Sequence, residues 1–92
     1  MMYPFMTLED KTGIAHSEII VKDGKECVKV YFEQPVNGGF NSAECWLPDY
    51  TWTLKEGFSE KQITYFQEFL ESTAHIILEL AKNGGFENAS GF

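Results

Sequence analysis

Hydrophobic and polar residues change their period once along this chain, near residue 58. Before that point apolar side chains alternate with polar ones in short runs broken by Gly, Pro, Asn and Asp, the mark of strands and turns. Beyond it they recur every three to four residues, the mark of a helix. The first alternating run, Tyr3 to Leu8, reads as an edge strand, because Pro4 has no N–H to give to a ladder. Asp10 to Gly13 then turns the chain.

Asp23-Gly24 is the dipeptide that best tolerates the positive φ angles of a two-residue hairpin turn. Run outward from that turn without interruption, the register sets Lys22 opposite Lys25, Val21 opposite Glu26 and Ile20 opposite Cys27. It continues with Ile19 opposite Val28, Glu18 opposite Lys29, Ser17 opposite Val30, His16 opposite Tyr31 and Ala15 opposite Phe32. Ala15, Ile19, Val21, Val28, Val30 and Phe32 then face the core. His16, Glu18, Lys29, Tyr31 and Glu33 share the wetter face, where Glu18 and Lys29 form a complementary cross-strand pair.

Gln34 to Gly39 reads as a loop around Pro35 and Gly38-Gly39. Phe40 to Leu47 and Tyr50 to Lys55 follow as two further strands, or as one long strand bent at Pro48. The helix start carries three signals: Ser59 as N-cap, Gln62 completing a capping box, and Phe58 placed to pack on Ile63. The helix should run from about Glu60 to Lys82 and stop at Asn83-Gly84-Gly85. Ile63, Phe66, Leu70, Thr73, Ile77 and Leu80 make its core stripe, with Phe69, Ile76 and Leu78 widening the apolar arc. Glu60, Lys61, Glu68, Glu71, His75 and Glu79 mark its wet side. The pattern therefore predicts a single α+β domain over residues 1–92. It is an antiparallel β-meander of three to five strands within residues 3–55, with one long C-terminal α-helix packed on one face and a loose tail over residues 86–92.

Composition narrows the function classes. The 92 residues are 43% apolar and 15% aromatic, enough to build a core, and 14 acidic side chains against 7 basic ones give a net charge of −7. All seven cations are lysines. Without arginine's bidentate fork, and with a net negative charge, nucleic acid is not an expected partner. No stretch approaches the ~20 apolar residues of a membrane span, and Met1 to Phe5 lacks the basic and apolar segments of a signal peptide. A cytoplasmic protein is expected, with Cys27 and Cys45 as reduced, packed thiols and no CxxC pair.

Candidate chemistry is sparse. Glu71, His75 and Glu79 lie four apart on one helical face, but metal sites generally draw ligands from more than one element, so a solvated face explains the spacing. Both cysteines sit mid-strand without an activating context, and Gly38-Gly39 leads into a strand and not into the helix N-terminus that an anion needs. No metal, cofactor or catalytic residue is expected. The aromatic residues stand above background, and Tyr and Trp carry much of the energy of protein interfaces. Tyr31, Trp46, Tyr50 and Trp52 are the residues expected at such a contact, on the open face of the sheet or along an unpaired edge strand. The expected function is that of a small acidic, non-enzymatic interaction or regulatory module whose partner is another protein, with homodimerisation as part of it. The alternative is a small-ligand site between helix and sheet, walled by Trp46, Trp52, Phe66 and Phe69, as a binding domain or an enzyme using Glu44 or His16. A third class, a DNA-mimicking inhibitor, would use Glu60, Glu68, Glu71 and Glu79 as its row of charges.

Overall fold

A computed structural model describes residues 2–84; the predicted tail, 86–92, lies outside them. Six strands precede one helix: β1 (Met2–Thr7), β2 (Gly13–Ser17), β3 (Ile20–Lys22), β4 (Lys25–Val36), β5 (Gly39–Leu47), β6 (Thr51–Glu56) and α1 (Glu60–Lys82). The strands form one antiparallel sheet in the order β1-β2-β4-β5-β6, with β3 pairing β4 beside β2. This is the predicted α+β meander with its long helix on one face. It has six strands, not at most five, because a single predicted strand is divided into β2 and β3.

That division is the main departure from the sequence reading. Near the Asp23-Gly24 turn, where both residues have positive φ (52° and 78°), the predicted register holds: Lys22 opposes Lys25 and Ile20 opposes Cys27. Further out His16 opposes Val30 and Ala15 opposes Tyr31, so one extra residue has been inserted on the first strand between the two stretches. The insertion is a bulge, and a one-residue slip exchanges the faces of everything beyond it. The Ser17 hydroxyl supports it, accepting from the Lys29 N–H at 3.0 Å and donating to the Glu18 carbonyl at 2.8 Å.

Expectations for the stretch from β2 to β3 are corrected, those for His16, Ala15 and Glu18 by this bulge and that for Val21 by the narrowness of the hairpin tip. His16 is fully buried and Ala15 lies on the other face, the reverse of the uninterrupted register. Glu18 does not oppose Lys29, which instead reaches Glu44 on β5 at 3.9 Å. Val21, predicted to be core, is 65% exposed, because β3 pairs only with β4 and the hairpin tip is a narrow ribbon at the sheet margin. The predicted loop over Gln34 to Gly39 is also paired: β4 and β5 join through a two-residue turn at Asn37-Gly38, with Gly38 at φ 87°.

The helix follows its prediction. Ser59 Oγ accepts from the Gln62 N–H and Gln62 Oε1 accepts from the Ser59 N–H, closing the capping box. Phe66, Leu70, Ala74, Ile77, Leu80 and Ala81 are buried against the sheet. Phe66 stacks on Phe32 with ring centroids 4.5 Å apart, and Phe58 meets Phe66 edge-on at 5.0 Å. Trp52 lies 5.7 Å from Phe32, and its indole N–H donates to Gln67 Oε1 at 2.9 Å. This aromatic column, with the Phe5–Phe69 contact to β1, fixes the helix over one side of the sheet and leaves the other side uncovered by it.

Candidate functional site

The uncovered face is shaped by side-chain size. With Ile14 and His16 turned inward, β2 presents Gly13 and Ala15 outward, two residues with almost no side chain. On one flank β1 contributes Pro4 and Thr7, which pair with Ala15 and Gly13; on the other, β4 and β5 contribute Tyr31, Pro35 and Phe40. The result is a shallow groove of about 670 Å³. Its walls include one of the most exposed large apolar side chains of the described residues, Phe40 at 61%. Lys11 and Glu33 stand at its margin. The Tyr31 hydroxyl donates to Glu33 Oε2 at 3.2 Å and lies the same distance from Ser42 Oγ, which steadies the ring as a wall. Lys11 forms no ion pair with any described residue.

At the opposite end of this face, Trp46 lies opposite Lys29 in the β4–β5 ladder. Lys22 Nζ sits 4.0 Å from the indole centroid and Lys29 Nζ 5.9 Å, an arrangement that favours both cations. Glu44 neutralises Lys29 and also accepts from the Thr53 hydroxyl at 3.4 Å. Lys25 is held by Asp49 at 2.6 Å, and that hydrogen bond raises the lysine above its ordinary pKa. A smaller hollow of about 270 Å³ lies among Lys22, Trp46, Asp49 and Thr51.

The four aromatic residues singled out from the sequence divide into two pairs. Tyr31 and Trp46 are on the open face, one at the groove and one under the lysines. Trp52 and Tyr50 pack against the core on the helix side, Tyr50 with φ 58° in the turn that enters β6. The structure thus places Trp46 and Trp52 on opposite sides of the sheet, so they do not wall one cavity. Gly13, Ala15 and Phe40 make the groove and carry no such signal of an interface in the sequence. Their one signal in the sequence is the small-residue pair Gly13 and Ala15 within an otherwise bulky strand.

The chemical candidates remain apart. Among the described residues no three His, Cys, Asp or Glu side chains converge as a metal site. His75 is exposed on the helix, and Glu71 accepts from Gln67 at 3.0 Å. Burial pushes the Cys45 thiol up to about 12, the opposite of an activated nucleophile. Cys27 Sγ donates to the Lys25 carbonyl at 3.6 Å. His16 Nδ1 donates to the Ser17 carbonyl at 2.9 Å, and its Nε2 is buried without a partner among the described residues. No hydrogen bond among them joins either cysteine to a histidine. No described helix is long and apolar enough to cross a membrane. Compared with known proteins, the chain matches no family model, no curated protein and no solved structure.

Proposed function

We propose that this protein is a small acidic, non-enzymatic interaction module that works in the cytoplasm and binds another protein through the open face of its sheet. The observation that carries the reading is the groove floored by Gly13 and Ala15 and walled by Tyr31, Pro35 and Phe40. Apolar side chains this exposed on one contiguous surface are uncommon on a protein that works alone, and a hollow beside aromatic walls is where interface energy concentrates. The net charge of −7 favours encounter with basic partners and repels nucleic acid. Reduced Cys27 and Cys45, both buried and free, suit a reducing compartment.

The alternative, a ligand site between helix and sheet, has less support. Phe32, Phe66, Phe58 and Trp52 are in ring contact there, and the spacing of the Phe32–Phe66 stack admits nothing between the rings. Ala15→Arg tests the preferred reading, since it fills the groove from its floor while leaving the covered face untouched. Quantitative affinity purification of wild type and variant, both checked for folding by circular dichroism, should show at least one stoichiometric associated polypeptide, this chain included, lost from Ala15→Arg. Identical sets of associated polypeptides would sink the proposal.

A further inference from the structure

We infer that the groove takes an arginine side chain of a partner protein, its stem over Gly13 and its guanidinium against Glu33. The inference rests on the interaction reading above, keeps its site and names the chemistry of its occupant. Glu33 pairs with Gly13 on one side and with Ser42 on the other, so its carboxylate rises from the open face directly beside the glycine floor. Tyr31 stands two residues before it on the same face and Pro35 two residues after, with Phe40 paired to Pro35. A side chain laid across this row therefore has a tyrosine on one flank and Pro35 with Phe40 on the other. Glu33 is half-buried there. The neutral Tyr31 hydroxyl donates to its Oε2 at 3.2 Å, Oε1 has no hydrogen-bond partner among the described residues, and no described cation forms an ion pair with either oxygen. A carboxylate partly removed from water, beside apolar walls and without a counter-charge, gains most from a cation that brings its own hydrogen-bond donors.

The surroundings favour the same occupant. Glu56 pairs with Ser42 on the side away from Glu33, which sets a second carboxylate on this face about 10 Å off, two strand spacings away. Glu9 and Asp10 are exposed in the turn that leads into β2, and Lys11 is the cation among the described lining residues. Carboxylates therefore outnumber cations at this end of the sheet, and Lys11, which forms no ion pair with Glu33, acts as a competitor of the incoming charge. Arginine suits the site better than lysine: its flat guanidinium stacks on an aromatic ring, and its fork of donors can serve Glu33 Oε1 and the Ser42 hydroxyl together. The chain itself contains no arginine, so a second copy cannot supply the group. A free small molecule fits less well, because ligand sites enclose most of their ligand and this hollow is shallow. A side chain borne by a protein is held in addition by the contacts around it, for which Phe40, 61% exposed, offers the apolar surface.

Display of short random peptides on the full chain tests the chemistry before any partner is known. The selected sequences should converge on an arginine with an apolar or aromatic neighbour. No enrichment, or lysine enriched as often as arginine, overturns the inference. With the tightest selected peptide as probe, fluorescence polarisation should show Glu33→Gln weakening binding by at least about tenfold, and Lys11→Met strengthening it about two- to threefold. Both positions are on the surface and circular dichroism checks the fold, so an unchanged affinity in Glu33→Gln overturns the inference. N-acetylarginine amide alone should bind at least about a hundredfold more weakly than the peptide; comparable binding would make this a small-molecule site and overturns the partner protein as source. Affinity purification separates the two levels of argument. The polypeptide lost from Ala15→Arg should be a different chain and should also be lost from Glu33→Gln. Loss from Ala15→Arg alone, or loss of this same chain, overturns the arginine while the interaction reading stands, and loss from neither variant overturns both.

Discussion

The two faces of this sheet are made by the same strands and have opposite characters. On the helix side, Val30, Phe32, Ala43 and Cys45 are completely buried and meet Phe66, Leu70 and Ile77. On the other side, the intervening Ala15, Tyr31, Glu33, Ser42, Glu44 and Trp46 are each partly exposed, and their contacts are hydrogen bonds, ion pairs and cation–π pairs. Burial energy scales with apolar area removed from water, so the covered face carries the stability of the fold. The open face can change with little cost to folding. The division teaches that alternation along one strand separates two selective demands residue by residue.

Substitutions on the two faces should therefore differ sharply. The largest effect is expected from Phe66→Ala, which empties the stack on Phe32 and should cost about 3–5 kcal/mol, a large part of the ~5–15 kcal/mol that holds a typical domain. Urea denaturation measures it, and a loss below about 1 kcal/mol would break the comparison. Cys45, facing the same core, should react with disulfide reagents at pH 8 roughly a thousandfold more slowly than an unfolded thiol, because a pKa near 12 leaves so little thiolate. The same shift has a sign for stability. The unfolded thiol loses its proton near 9.0 and the folded one only near 12, so the contribution is full below about pH 9 and is lost as pH rises towards 12. Stability curves of wild type and Cys45→Ala should diverge in that window; parallel curves would show that burial does not control this thiol.

Smaller effects sharpen the contrast. Ser59→Ala removes the cap that starts the covering helix and should cost about 1 kcal/mol in thermal or urea unfolding. Trp52→Phe loses the bond to Gln67 and should cost about 1 kcal/mol, whereas Trp46→Phe on the open face should stay within about 0.5 kcal/mol. The smallest effect is expected from Phe40→Ser, close to zero on the unfolding of the monomer. Equal costs for Trp52 and Trp46 would mean that both faces support the fold alike.

Legibility in the sequence followed the range of the interactions. The helix was readable to its bounds at Glu60 and Lys82, because its cap, its stripe and its stop are all local. The hairpin tip was equally clear, since Asp23-Gly24 sets its own register. The bulge at Ser17 to Ile19 was not, because it is stabilised by the Ser17 hydroxyl bonding to the backbone of Lys29 twelve residues away. Its consequence, His16 inward and Ala15 outward, contradicts polarity, and an uninterrupted alternation argument places the imidazole in water. The groove was harder still. Its floor comes from β2, its walls from β1, β4 and β5, and only the assembled sheet brings Pro4 and Phe40 to one surface. Tyr31 and Trp46 could be assigned to the outer face from alternation alone. Trp52 could not, because a bulge in the β5–β6 pairing at Glu44 and Cys45 alters its phase.

The order of the elements has a consequence for how the chain leaves the ribosome. All six strands are synthesised before α1, and the 26 residues that follow Glu56, up to Lys82, take on the order of 1–5 s to make. During that interval Val30, Phe32 and Leu47 have no cover, and the nascent sheet offers neighbouring chains two sticky sides in place of one. Pro4 on β1 and Lys55 with Glu56 at the end of β6 sit on the strands that border the sheet, where a missing N–H and fixed charges discourage edge pairing. These residues guard the chain for the few seconds before its own helix closes over it.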